Sequence, residues 1–261
     1  MTRSAGRRMR PPLYWIAQGV ISEDFPDVAE ALEEPNGLLA VGGDLSSQRL
    51  LSAYRRGIFP WYSEGQPILW WSPDPRSVLF PEELKVSRSL RATLRKGHFQ
   101  VSVDRAFRQV MIACAGPRRG QAGTWITPEL TKAYFELHGL GYAHSVECWR
   151  DGRLVGGLYG VALGRVFFGE SMFADETDAS KVCLVHLVKH LRDRDFTLID
   201  CQVPSPHLES LGAIAISRQR FIQMLEEWCT PRNSGNAWAR SAGKADLKLS
   251  PPPASSRGPK T

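Results

Sequence analysis

Three runs decide how this chain folds: Ser145-Val146-Glu147-Cys148-Trp149-Arg150, then Arg153-Leu154-Val155-Gly156-Gly157-Leu158-Tyr159-Gly160-Val161-Ala162-Leu163, then Arg165-Val166-Phe167-Phe168-Gly169-Glu170-Ser171-Met172-Phe173. Each is rich in β-branched and aromatic residues, and the breaks between them are Asp151-Gly152 and Gly164. Asp-Gly is a two-residue hairpin signal, because both positions tolerate positive φ. The reading is therefore a three-strand antiparallel meander.

Helical periodicity surrounds it. Ser87 to Lys96 carries Arg88, Arg91 and Arg95 at i, i+3 and i+7, and Phe107, Val110, Met111 and Cys114 form an apolar stripe. Thr127 caps a further helix with Pro128 in its first turn and Gly139 near its end. After the meander, a helix from Asp178 or Ser180 precedes a strand over Thr197 to Val203, a short strand at Ile214 to Ile216 and a helix carrying Phe221, Met224, Leu225 and Trp228. Upstream, Leu13 to Pro81 is dense in Gly, Pro and Trp, with Ser46 or Ser47 starting one short helix through Tyr54. The expectation is an α+β chain: a flexible basic tail (1–12), a small irregular N-terminal domain (13–81), a mixed-sheet domain of the acetyltransferase (GNAT) type (82–229) and a flexible C-terminal tail (230–261) into which Trp238 places one docking residue.

Composition bounds the chemistry. A chain with 43% hydrophobic and 23% charged residues is an ordinary globular protein. No apolar stretch approaches the roughly 20 residues that span a bilayer, and the Arg-rich start leads into Pro-Pro-Leu-Tyr-Trp rather than a secretory segment, so a cytoplasmic protein is expected. The five cysteines are scattered and never form C-x-x-C, which argues against disulfides and zinc. The net charge of +6 is unevenly held: Lys85 to Arg119 contains nine Lys/Arg and one acid, a segment that favours polyanions.

Two polar insertions in apolar runs stand out. Leu198-Ile199-Asp200-Cys201-Gln202 places Asp200 and Gln202 on one strand face and Cys201 on the other. A carboxylate there can hold the neighbouring amide in one orientation and leave its carbonyl oxygen free to accept a hydrogen bond from a substrate. Glu170 is the second insertion. The plain alternative for both is a set of satisfied buried polar groups. A Cys201/His207 nucleophile pair is a further alternative that the strand pleat disfavours. An acetyltransferase-type fold also suggests coenzyme A, but Ala174-Asp175-Glu176-Thr177-Asp178, where its pyrophosphate would sit, has three acids and no glycine. A noncatalytic RNA-binding module would explain the basic segment and leave the acidic motifs unexplained.

Six strings carry a recognisable pattern: Pro35-Asn36-Gly37-Leu38-Leu39-Ala40, Gly57-Ile58-Phe59-Pro60-Trp61-Tyr62, Leu69-Trp70-Trp71-Ser72-Pro73-Asp74-Pro75-Arg76, Gly123-Thr124-Trp125-Ile126-Thr127, Gly169-Glu170-Ser171-Met172-Phe173 and Asp200-Cys201-Gln202. Together, from about Phe25 to Trp228, the chain resembles the leucyl/phenylalanyl-tRNA-protein transferases. The resemblance implies a cytoplasmic enzyme that moves Leu or Phe from aminoacyl-tRNA to the α-amino group of proteins beginning with Arg or Lys, marking them for degradation, with neither metal nor other cofactor. It implies Asp200 and Gln202 at the catalytic centre and Glu170 for the acceptor's cationic side chain. Tyr54, Trp61, Trp125, Tyr134 and Phe167 would surround the donor ester and its adenosine. For tRNA, the best phosphate-binding candidates are Lys85, Arg88, Arg91, Arg95 and Lys96.

Overall fold

The computed structural model describes residues 13–19, 25–116, 125–229 and 238. The expected flexible tails, apart from Trp238, and the positions Arg118, Arg119, Gly123 and Thr124 lie outside the described residues. In chain order the first elements are β1 (Tyr14–Ile16), β2 (Leu38–Gly42), α1 (Ser47–Arg55), β3 (Phe59–Pro60), β4 (Leu69–Trp71) and β5 (Arg76–Leu79). Then come α2 (Arg88–Lys96), β6 (Gln100–Val103), α3 (Phe107–Ala115), α4 (Pro128–Gly139), β7 (Ala143–Arg150), β8 (Arg153–Leu163) and β9 (Val166–Ala174). The last are α5 (Ala179–Arg192), β10 (Leu198–Gln202), α6 (Pro206–Ser210), β11 (Ile214–Ile216) and α7 (Arg218–Trp228).

The strands form a small sheet, β1-β2-β4-β3, and a seven-stranded sheet, β11-β5-β10-β9-β8-β7-β6. The meander is present as the antiparallel pairs of β7 with β8 and of β8 with β9, and β10 then returns parallel to β9 through α5. This is the α+β element order that the sequence pattern implies. Local signals set the helix starts: the hydroxyls of Ser46, Ser87, Thr127 and Ser217 each accept a hydrogen bond from a first-turn N–H. The four strands β1 to β4 form a sheet where the sequence pattern implied an irregular segment, and β5, β6 and α6 had no sequence signature either. Strand β5 has a consequence for domain layout, because its residues precede Pro81 yet pair with β10 and β11 in the large sheet.

The large sheet is buried on both faces, and alternate residues divide between two cores. Val166, Phe168 and Leu198 join Tyr54, Tyr134 and Phe221 on the face toward the small sheet, while Phe167 and Ile199 join Val182, Leu187 and Leu191 on the α5 face. Trp238 docks in the second core: its ring stacks on His144 at 4.1 Å and on Phe167 at 5.7 Å, and its indole N–H donates to Asp104 at 2.9 Å. Helix α5 lies close on β8 because Gly156 has no side chain; a Cβ there would meet that of Ala179 at 2.6 Å.

Gly160 is the tightest such position in β8. A Cβ on it would collide with the carbonyl oxygen of Phe168 and lie 2.6 Å from the Phe167 ring. Gly160→Ala is expected to destabilise the fold by about 1–3 kcal/mol, the usual range for overpacking, read as a lower urea midpoint with an unchanged m-value.

Candidate active site

Strands β9 and β10 pair only as far as Phe168 and Asp200. Beyond that point they part, and the residues that follow on both, Gly169 to Met172 and Cys201 to Val203, line a cavity of about 400 Å³. Its depth is apolar, walled by Leu158, Phe167, Met172 and Ile199 from the sheet and by Leu184 and Leu187 from α5. Its rim carries Phe59, Pro60, Trp61 and Trp125 on one side and Ser205, His207 and Leu208 on the other. The rim is aromatic and solvent-accessible: Trp61 is 45% exposed and held by the Trp71 indole N–H, which donates to its carbonyl at 2.6 Å.

A polar network sits where the strands separate. Glu170 is its hub. Tyr54 OH donates to Oε1 at 2.7 Å, Tyr134 OH donates to Oε2 at 2.7 Å, and the Gln202 side-chain amide donates to Oε1 at 3.0 Å. That contact orients the Gln202 amide, and its carbonyl oxygen has no hydrogen-bond partner among the described residues. The second hub is Asp200, wholly buried, which receives the Arg76 guanidinium at both oxygens, Nε at 2.8 Å and Nη2 at 2.6 Å. Asp200 Oδ1 also accepts from the backbone N–H of Gln202 at 2.9 Å.

These contacts change the expected division of labour. Asp200 holds the backbone of Gln202 and not its amide; Glu170 holds the amide. The strict alternation assumed for this strand stops one residue early, since pairing with β5 shifts register between Asp200 and Gln202 and Gln202 takes a positive φ of 62°. Cys201 consequently lines the cavity as well. Its thiol donates to the Ile199 carbonyl, and burial raises its pKa well above the free value. That is the opposite of an activated nucleophile, so the Cys201/His207 pair is set aside. Burial and Lys181 hold His207 below the usual imidazole pKa.

Of the aromatic candidates, Trp61, Trp125 and Phe167 line the cavity. Tyr54 and Tyr134 do not; both are fully buried behind Glu170, where burial and the carboxylate charge push their phenols well above pKa 10. The basic candidates stand apart from the cavity. Lys85, Arg88, Arg91, Arg95 and Lys96 are all exposed, and none forms an ion pair among the described residues. Helix α2 approaches the start of α5, where Thr93 donates to Asp178 at 3.1 Å. Arg76 escaped the sequence reading. The available signal was a lone arginine entering the run Ser77-Val78-Leu79, which has to find a buried acid if it faces inward. Among the described residues no cluster of His, Cys, Asp and Glu could hold a metal ion, and no helix is long and apolar enough to cross a membrane.

Burial pushes the Glu170 carboxyl up to about 7, against the lowering effect of the two phenols; the Asp200 charge adds to the rise and Arg76 opposes it. Between the ordinary carboxylate pKa and 7 the folded state therefore binds more protons at this site than the unfolded chain does. Its contribution to stability is fully present below the unfolded pKa and is lost as pH rises through about 7. Compared with Glu170→Gln, the wild-type chain is expected to lose on the order of 2 kcal/mol between pH 5 and pH 8, measured by urea unfolding at the two pH values.

Comparison with known proteins identifies the family. Residues 78–226 match the family model described as leucyl/phenylalanyl-tRNA protein transferase, and residues 43–74 match the model of that family's N-terminal domain. The chain is 60% identical over 216 residues to the leucyl/phenylalanyl-tRNA–protein transferase of Aromatoleum aromaticum, covering 83% of this chain and 91% of that protein. It is 62% identical over 216 residues to the enzyme of the same name from Pseudomonas aeruginosa PAO1, covering 83% and 95%. A GCN5-related N-acetyltransferase from Kribbella flavida is similar at only 10% identity and a TM-score of 0.31, covering 64% of this chain and 59% of that one, too slight a likeness to carry an argument. On the family match and these identities, the chain belongs to the leucyl/phenylalanyl-tRNA protein transferase family.

Proposed function

We propose that this chain transfers leucine or phenylalanine from aminoacyl-tRNA to the α-amino group of proteins beginning with Arg or Lys, in the cytoplasm, and so marks those proteins for degradation. The observation that carries the reading is the Gln202 amide, pinned by Glu170 with its carbonyl oxygen free beside a cavity that is apolar in depth and aromatic at its rim. The apolar depth suits a Leu or Phe side chain, and Trp61 and Trp125 suit the face of the terminal adenine.

The donor is an ester, so no nucleoside triphosphate is needed. The acceptor amine, once neutral, attacks the ester carbonyl; the C–N bond forms, the C–O bond to the ribose breaks, and the ribose oxygen leaves with a proton. An α-amino group has a pKa of about 7.7–8.0, so an appreciable fraction is already nucleophilic near pH 7. Gln202 Oε1 accepts a hydrogen bond from the attacking N–H and thereby sets its direction. An amide is too weak a base to take a whole proton, and the contribution is one of orientation. Glu170 has about four acceptor positions, of which three are filled by Tyr54, Tyr134 and Gln202. In this reading the remaining one, with the carboxylate charge, draws the acceptor's guanidinium or ammonium, and that cation in turn favours the ionised carboxylate.

The exposed face of Lys85, Arg88, Arg91, Arg95 and Lys96 takes tRNA phosphates, leaving the cavity to the aminoacyl end. Transfer of labelled Leu from charged tRNA onto an Arg-starting protein is the deciding assay. Activity in the wild type and its loss in Gln202→Ala at saturating substrates are expected; a wild-type chain that transfers no label sinks the proposal. Each phosphate contact contributes roughly 0.7 to 0.9 to the negative slope of log affinity against log salt. Charge reversal of Arg88 and Arg91 together is expected to flatten that slope by roughly 1 to 2 in a tRNA-binding titration, and an unchanged slope places the tRNA elsewhere.

A further inference from the structure

The transfer reaction proposed above, on which this inference rests, needs Gln202 aimed at one point, yet Gln202 sits in a backbone conformation that non-glycine residues avoid. Its φ of 62° is left-handed, and such a residue persists only where its surroundings over-determine it. Its side chain is held by Glu170, and its backbone by pairing with Ser77 and by the hydrogen bond from its N–H to Asp200 Oδ1 at 2.9 Å. Asp200 is itself a fully buried carboxylate, and what fixes it is Arg76.

The geometry of Arg76 is unusually complete. It begins β5, is 1% exposed, and presents Nε and Nη2 side by side to the two oxygens of Asp200. Its remaining terminal nitrogen, Nη1, donates to the Gly57 carbonyl at 3.0 Å. The guanidinium carbon lies over the rings of Phe59 and Phe221, 4.8 and 4.6 Å from their centroids. Phe59, itself buried, lines the cavity two residues before Trp61. One side chain therefore ties the two halves of the cavity together: the Gly57-to-Trp61 segment that carries the aromatic rim, and the end of β10 that carries Gln202. A lysine could supply the charge but neither the planar fork nor the stacking.

We propose that Arg76 is a positioning residue for aminoacyl transfer: through Asp200 it holds Gln202 in its left-handed conformation, and through Gly57 and Phe59 it sets the distance from Gln202 to the donor's aromatic rim. It touches neither substrate. Its loss moves the reacting groups apart and lowers kcat, with KM for either substrate little changed.

The test is Arg76→Lys in the full chain, with Val188→Ala, a deletion in the α5-side core away from the cavity, as a control for lost stability. Steady-state kinetics with Leu-tRNA and an Arg-starting acceptor is expected to show kcat roughly 10- to 100-fold lower for Arg76→Lys, while Val188→Ala keeps wild-type kcat at a comparable fall in Tm. The Gln202 side-chain amide resonances, identified by their absence from Gln202→Ala, are expected to move in Arg76→Lys and to stay in place in Val188→Ala. If Arg76→Lys does not fold, Arg76→Met combined with Asp200→Leu replaces the buried pair by apolar side chains of similar size, a change that folds tolerate; it too is expected to lose kcat and to shift the Gln202 resonances. Wild-type kcat in either variant, or unmoved Gln202 resonances, overturns the role of Arg76. A wild-type chain with no transfer activity overturns the reaction instead, and the resonances then still report whether Arg76 positions Gln202.

Discussion

A carboxylate and a guanidinium sealed from water between two sheets govern much of this molecule. Burying Asp200 or Arg76 alone would cost several kcal/mol, and each is present only because the other satisfies it. The bidentate geometry does more than neutralise charge. It has one orientation, so the strand that begins at Arg76 and the strand that ends at Gln202 cannot slide past each other without breaking two charge-assisted hydrogen bonds. The antiparallel pairing of β5 with β10 brings the two residues near, and the ion pair fixes their register at the place where regular pairing gives out.

Glu170 answers a different physical problem. A sheet whose neighbouring strands separate exposes polar groups in a low-dielectric interior, and a carboxylate there is costly. Two phenols and one amide supply three donors to it, which lowers the cost without abolishing it, so its pKa settles near 7 and not in the usual carboxylate range. The same donors have a geometric effect. With Tyr54 and Tyr134 occupying one side of the carboxylate, Gln202 approaches with its NH2 group, and its carbonyl is left over for a substrate. The orientation of a neutral amide is thus set by the ionisation of an acid that was singled out for a different partner.

Much of the scaffold was readable in advance because local rules sufficed. The meander rests on alternating apolar runs broken by Asp151-Gly152 and Gly164, and the helix starts rest on serine and threonine caps; both act within a few residues, and both are found where the pattern places them. Strands β5 and β6 escaped because four-residue strands carry little periodicity, and their existence depends on pairing with partners far along the chain. Tyr54 and Tyr134 were picked out as aromatics around a ligand; they are aromatics around Glu170. Composition cannot separate the two, since both environments ask for a large ring with a hydroxyl.

The amino-acid sequence by itself determined the meander and the main helices around it, the apolar runs that become the two cores, the exposed arginine face of α2, and the identity of the polar residues placed in apolar strands. These follow from periodicity, capping and burial, which act over short stretches. Only the tertiary structure decided that β9 and β10 part after Phe168 and Asp200, that Gln202 turns left-handed, that Glu170 and not Asp200 grips its amide, and that Arg76 closes the circuit. The Gln202–Glu170 and Arg76–Asp200 contacts are choices among partners 32 and 124 residues apart, made by which arrangement leaves the fewest buried charges and hydrogen-bonding groups unsatisfied, and that quantity has no local signature.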